Sequence, residues 1–475
     1  MPDKRPNIVF IMTDDHAAHA MSCYGSRINQ TPNLDRIATG GMRLCNCFCT
    51  NSICAPSRAT ILTGQYEHIH GVRTLGDDLD RTRNNFAKLL RASGYQTALV
   101  GKWHLGTKPE NRPAGFDYWN VLPGQGLYHD PVMHEMDPAD PDHGIPKKLK
   151  GYVTDLITDI SLDWLRNRDT DKPFCLLVNH KAPHREWEPD DKHAHMYDDI
   201  DIPEPDTLYD DYENRAAAAR EAKMRVGVHM KDKDVKRPIP RDLDDHALRK
   251  WAYQYYIKDY LRVIASVDDN VGRLLDYLDA EDLADDTIVV YTSDQGFFLG
   301  DHGWYDKRFM YEQSLRMPFL IRYPREIEAG STTDAMALNL DFAQTFLDYA
   351  GVEPYPGMQG RSFRPVLAGH TPDDWRRGMY YRYWMHLSHH NVYAHYGIRT
   401  ERYKLIYYYA QALGASGAID DSRPPEWELF DLERDPDELH SVYADPAYAD
   451  VVKELKAEMH RLQADCGDEP VDEVG

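Results

Sequence analysis

The sequence has no apolar run approaching the length of a membrane-spanning helix, and its first apolar stretch, residues 7–12, is also too short for the core of an export signal. For the chain as written this excludes a membrane anchor of that kind and makes the cytoplasm the default compartment. A periplasmic or secreted location would follow if a leader has been removed. Positive charge is scarce: 55 Lys and Arg stand against 78 Asp and Glu, a formal net charge of −23. Nucleic acids and acidic membranes need extended positive potential, so neither is an expected partner, and an anionic substrate must be held by a local site. Cysteine is sparse and odd in number, seven in all, which does not suit a disulfide scaffold. Cys45, Cys47 and Cys49 alternate as residues on one face of a strand do, without zinc-ligand spacing, and read as small fillers of a reduced interior. No internal repeat is apparent.

What remains is a soluble globular composition, 42% apolar over 475 residues, long enough for a large core domain with a smaller appendage. Short apolar runs bounded by turns recur at 8–12, 34–38, 97–100, 174–178, 288–291 and 318–321. Helical periodicity lies between them at 85–93 and 252–278. This alternation predicts an α/β fold, a mostly parallel sheet sandwiched by helices. Residues 134–150 and 186–241 are polar with little periodicity and read as long surface insertions. After about residue 370 the pattern changes: runs at 393–399 and 404–409 flank Thr400-Glu401-Arg402 as a hairpin, 428–432 reads as a further strand and 448–462 as a helix. The expected division is a catalytic domain over 1–370 and an α+β subdomain with an antiparallel sheet over 371–475.

Chemistry concentrates at Cys54-Ala55-Pro56-Ser57-Arg58, followed by Thr63-Gly64. A cysteine near an arginine suggests by itself a lowered thiol pKa and a cysteine hydrolase. The stretch, however, resembles the signature C-x-P-S-R-x-x-x-x-T-G of the sulfatase family at every fixed position. A second family motif, G-K-W-H-L-G, stands at Gly101 to Gly106. Further matches run in order along the chain: Thr13-Asp14-Asp15, Ala182-Pro183-His184, Ser293-Asp294-Gln295-Gly296 and Gly300 to Lys307. The resemblance implies an alkaline-phosphatase-like fold and hydrolysis of sulfate esters. It also implies that a maturation enzyme oxidises Cys54 to formylglycine, whose hydrated aldehyde is the nucleophile: one hydroxyl attacks sulfur, and the other later re-forms the aldehyde and releases sulfate.

The residues agree with that expectation. Asp14 and Asp15 follow one predicted strand, and Asp294 and Gln295 follow another. Their oxygens can therefore converge with residue 54 at the carboxyl edge of the sheet, where open α/β sheets place their sites. Hard oxygen donors with three carboxylates suit Ca2+, with Mg2+ second, and do not suit zinc. Many sulfatases have Asn where this chain has Gln295; the amide oxygen is retained at longer reach. Arg58 should orient the nucleophile and offset developing charge. By resemblance, Lys102 and His104 flank the aldehyde hydrate, with His104 as the base, while His184 and Lys307 contact the sulfate and the leaving oxygen.

With 22 histidines in the chain, most must be structural, and His16, His19, His68, His70, His180 and His302 are read so. Residues 116–119 and 122–129, together with the Asp294 to Lys307 segment, resemble bacterial sulfatases acting on 6-sulfated N-acetylglucosamine. A sulfated carbohydrate is therefore the first expected substrate and a small aryl or alkyl sulfate the second. His386, His389, His390, Asn391, His395 and Tyr396 form a polar aromatic cluster that could read the alcohol side of the substrate. The rival readings are a phosphonate or phosphodiester hydrolase of the same superfamily and a sugar-binding descendant that no longer catalyses.

Overall fold

A computed structural model of the chain describes residues 5–26 and 28–473. Strands Asn7–Thr13, Phe174–Asn179 and Thr287–Ser293 are buried at every position, which is why their sequences are continuous apolar runs without alternation. They lie at the centre of a ten-stranded sheet. Thr287–Ser293, Asn7–Thr13, Phe174–Asn179, Gln96–Lys102 and Tyr118–Leu122 run parallel in that order. Beyond Thr287–Ser293 the sheet continues with the antiparallel Phe319–Arg322, then Met42–Leu44 and Ser331–Thr333.

Two groups of helices cover the sheet. Cys54–Thr63, Phe86–Ala92 and Phe342–Ala350 pack on one another, and Phe342 and Phe346 meet Phe10 of the central strand edge-on. Pro32–Thr39 and Val153–Arg166 pack against the long helix Asp245–Ala280. Because the five central strands are parallel, their carboxyl ends share one edge. Lys102 ends its strand there, and the loops carrying Asp14, Lys181 and Asp294 leave from the same edge.

The smaller sheet has four antiparallel strands in sequence order, Gly378–Tyr383, His395–Thr400, Tyr403–Tyr408 and Glu426–Asp431. Helix Ala449–Cys466 packs on it. Its first strand buttresses the site loops: the Tyr381 hydroxyl donates to the Arg308 carbonyl at 2.6 Å and accepts from the Ser52 amide at 3.1 Å.

Three expectations need correction. Residues 34–38 are not a strand but the body of helix Pro32–Thr39. Leu34, Ile37 and Ala38 are its buried positions, an i, i+3, i+4 stripe interrupted by the polar Asp35 and Arg36. Residues 134–150 are not irregular; they form the edge hairpin Val132–Asp137 and Asp140–Lys148. The second of these strands is exposed everywhere but Gly144, so no apolar pattern marks it. Residues 186–241 are irregular apart from helices Ala217–Glu221 and Asp232–Val235, yet they are no mere surface insertion. Trp187, Leu208, Tyr212, Met224 and Val226 are fully buried or nearly so.

Candidate active site

Cys54 is the first residue of helix Cys54–Thr63, entered through the extended Ile53. Its side chain is buried, and the thiol donates to Asp14 Oδ1 at 3.2 Å. Burial pushes this thiol up to about 12, with Asp294 and Asp15 adding to the effect against Lys307 and Arg58. A thiol so held is a poor nucleophile, and the cysteine-hydrolase reading loses its physical basis.

The carboxylates around it each meet a cation. Arg58 Nε donates to Asp294 Oδ2 at 2.9 Å, its Nη1 donates to the Lys102 carbonyl at 3.0 Å, and its Nη2, 3.9 Å from Asp14 Oδ2, has no hydrogen-bond partner. Lys102 Nζ donates to Asp14 Oδ2. Lys307 Nζ spans both oxygens of Asp15, at 2.5 and 2.7 Å. The backbone is shaped to permit this. Asp15 (φ 71°) and His104 (φ 57°) hold left-handed conformations, which are uncommon outside functional turns. At Gly101 (φ 106°) a Cβ would collide with the Asn179 carbonyl, so only glycine lets the strand deliver Lys102 here.

The two histidines are neutral and their tautomers are readable. His184 Nδ1–H donates to the Arg185 carbonyl at 2.7 Å, which leaves the Nε2 lone pair facing the site, 3.9 Å from Asp15 Oδ2. The Gln125 amide nitrogen donates to His104 Nε2 at 3.3 Å, which puts the His104 proton on Nδ1. Burial, reinforced by Lys102 and other nearby cations, holds both imidazoles well below their ordinary range.

Gln125 does more than line a loop. Its Oε1 accepts from Lys102 while its amide meets His104, so it fixes both side chains at once. Lys181, which the sequence reading passed over, is buried beside His184 with its ammonium over the Tyr128 ring.

Asp14, Asp15 and Asp294 each bring a carboxylate oxygen within 4.8 Å of the others. Gln295 Oε1 is buried beside them without a hydrogen-bond donor, while its amide nitrogen donates to Asp15 Oδ1. Three carboxylates and an orphaned amide oxygen are a hard donor set that fits a divalent cation of the calcium or magnesium kind. Burial holds Asp15 up at about 6, with Lys307 opposing and Asp294 adding, as expected of a carboxylate that needs more positive charge than it has.

With this geometry in place, comparison with known proteins identifies the family. The Sulfatase family profile matches residues 6–352. The chain belongs to the sulfatase family. Membership carries the family's formylglycine and divalent metal, and makes this chain a sulfuric ester hydrolase. A second profile, the C-terminal region of N-sulphoglucosamine sulphohydrolase, matches residues 300–465. An N-acetylglucosamine-6-O-sulfatase of Bacteroides thetaiotaomicron is 44% identical over 515 residues, spanning 99% of this sulfatase and 88% of that protein. A solved structure described as a complex with its substrate D-glucosamine-2-N,6-O-disulfate is 43% identical, with a TM-score of 0.90 and 98% of both chains covered. The phosphonate monoester hydrolase of Agrobacterium radiobacter, 23% identical with a TM-score of 0.75 over 97% of this chain and 96% of that one, shares the fold.

The remaining residues singled out in the sequence lie elsewhere. His302 contacts Arg215 and Asp210, at 3.1 and 3.4 Å, and serves the packing of the 186–241 segment. The cluster at 386–396 divides. His386, His395 and Tyr396 are fully buried and hydrogen-bonded to Asp421, Tyr393 and Glu473, in the region of the smaller sheet. His390 instead reaches Asp306, next to Lys307, at 3.2 Å, and His389 lines a cleft of about 430 Å³ with Gln125, Tyr128 and His184. Among the described residues no helix is long and apolar enough to cross a membrane.

Proposed function

We propose that this sulfatase hydrolyses the 6-O-sulfate of an N-acetylglucosamine-type sugar, with formylglycine made from Cys54 by a maturation enzyme and Ca2+ held by Asp14, Asp15, Asp294, Gln295 and residue 54. The observation that carries the chemistry is the meeting of three basic side chains, Arg58, Lys102 and Lys307, and two neutral histidines around one buried side chain at the carboxyl edge of the sheet. The similarity to the Bacteroides enzyme over nearly the whole chain supports the sugar. The adjoining cleft, about 430 Å³, is large enough for a monosaccharide.

When present, the aldehyde hydrate supplies two hydroxyls on one carbon and the cation supplies charge that favours their ionised form. The chain's own residues do the rest. Arg58, anchored on Asp294 and on the Lys102 carbonyl, presents its unpartnered Nη2 as a fixed donor toward residue 54. Lys102 and Lys307 bind the sulfate oxygens. Burial disfavours the charge on Lys307, but Asp15 prevails and holds its ammonium above the ordinary range, so Lys307 enters the reaction protonated and gives a proton to the departing alcohol oxygen. His104 accepts at Nε2 the proton of the hydroxyl that does not carry sulfate, once that lone pair exchanges the Gln125 amide for the hydroxyl. His184 Nε2, an acceptor in this tautomer, takes a hydrogen bond from a hydroxyl of the bound sugar on the cleft side.

The test is turnover of matured protein on sugars sulfated at defined positions, alongside an aryl sulfate and a phosphonate monoester. The 6-O-sulfated N-acetylglucosamine should give the highest kcat/KM. A higher value for the phosphonate, or for a sugar sulfated elsewhere, would overturn the proposal.

A further inference from the structure

The buried Lys181 has no role in the chemistry above and, among the described residues, no carboxylate within ion-pair distance. It follows strand Phe174–Asn179, is 3% exposed, and makes one long hydrogen bond, 3.4 Å to the Arg185 carbonyl. Its ammonium rests 4.7 Å from the centroid of the Tyr128 ring. Four neighbouring cations have carboxylates in contact: Lys102 with Asp14, Lys307 with Asp15, Arg185 with Asp234 and Lys233 with Glu186. Among the described residues Lys181 has none. Asp15 acts on it most strongly from beyond ion-pair distance, followed by Glu188 and Glu186, which line the same cleft. A buried ammonium without an anion is costly, and burial pulls this one down to about 8. Tyr128, which carries it, also donates to the His184 carbonyl at 2.5 Å, so the lysine is tied to the catalytic loop and faces the cleft. The exposed Lys231, also without an ion pair, lines the same cleft.

We propose that Lys181, with Lys231 beside it, forms a subsite for a second oxyanion on the substrate, so that the enzyme prefers sugars carrying another sulfate or a carboxylate besides the ester being cleaved. This rests on the sugar reading above. The subsite breaks no bond and moves no proton. Its anion supplies the charge that the buried ammonium lacks and draws the 6-O-ester toward residue 54.

The experiment compares kcat/KM for 6-O-sulfated N-acetylglucosamine, glucosamine-2-N,6-O-disulfate and a disaccharide joining a uronic acid to the 6-O-sulfated sugar, in the wild type, Lys181→Met and Lys181→Arg. The preference for one doubly anionic substrate over the first sugar should fall roughly tenfold in Lys181→Met and largely return in Lys181→Arg. Which of the two loses it tells a second sulfate from a carboxylate. In the wild type the same preference should weaken as salt is raised, a measurement that needs no variant. Equal losses on all three sugars, or a preference that neither the variant nor salt moves, would overturn the subsite while leaving the sugar reading intact. Turnover of an aryl sulfate with none of the sugars would overturn both.

Discussion

His180 is buried with neither ring nitrogen hydrogen-bonded, and burial holds it down at about 3. Folding therefore demands the neutral ring. As pH falls through the ordinary imidazole value near 6.5, the unfolded chain takes up a proton that the folded chain refuses, and stability is lost from there downward. One pH unit below that value the loss is about 1.4 kcal/mol for this one group. The total acid response mixes signs, because burial holds Glu67 up at about 7 despite hydrogen bonds from Thr50 and Thr60. A carboxyl raised in the fold stabilises it at low pH and loses that contribution as pH rises through about 7. Between about pH 7.5 and 5.5, Glu67 should return about 2 kcal/mol, more than offsetting the loss from His180. The informative quantity is thus the difference from a variant. Urea unfolding of His180→Leu should show an acid loss smaller than the wild type's by about 1.4 kcal/mol over that interval, and Glu67→Gln one larger by about 2 kcal/mol. Parallel pH profiles for wild type and both variants would refute the reasoning.

Two further outcomes follow from the site. Asp294→Ala removes a metal donor and strands Arg58 Nε; metal content by mass spectrometry should fall below one per chain, turnover by on the order of a thousandfold, and stability by roughly 3–5 kcal/mol. Retention of a full complement of metal with normal turnover would show the donor set to be wrong. Gln125→Leu leaves Lys102 and His104 without their shared partner and should lower kcat/KM by roughly 10- to 100-fold. Gln125→Glu, which keeps an acceptor for Lys102 but no donor for His104, should recover part of that loss; an unchanged rate in both variants would remove Gln125 from the site.

The central strands were legible because burial on both faces writes itself as an unbroken apolar run, as in Asn7–Thr13 and Thr287–Ser293. The edge hairpin over 132–148 was not, since a strand exposed on both faces leaves no period to read. Helix Pro32–Thr39 was mistaken for a strand because five residues are too few to separate the two periodicities. Of the site, the residues inside spaced motifs could be named before the fold was known. Gln125 could be assigned only to a substrate loop, because its link to Lys102 spans 23 positions and depends on where two strand ends lie. Lys181 carried no signal at all: what distinguishes it is a missing partner, a property of the packed structure.

Under the proposed function residue 54 is an aldehyde and not a thiol. The direct measurement is peptide mass spectrometry of the segment containing position 54, made on the same preparations whose release of inorganic sulfate from the 6-O-sulfated sugar is assayed, with maturation varied by co-expressing the maturation enzyme. Activity should rise in proportion to the fraction of formylglycine and vanish in Cys54→Ala. Full activity in protein whose Cys54 is recovered entirely as the unmodified thiol would contradict it.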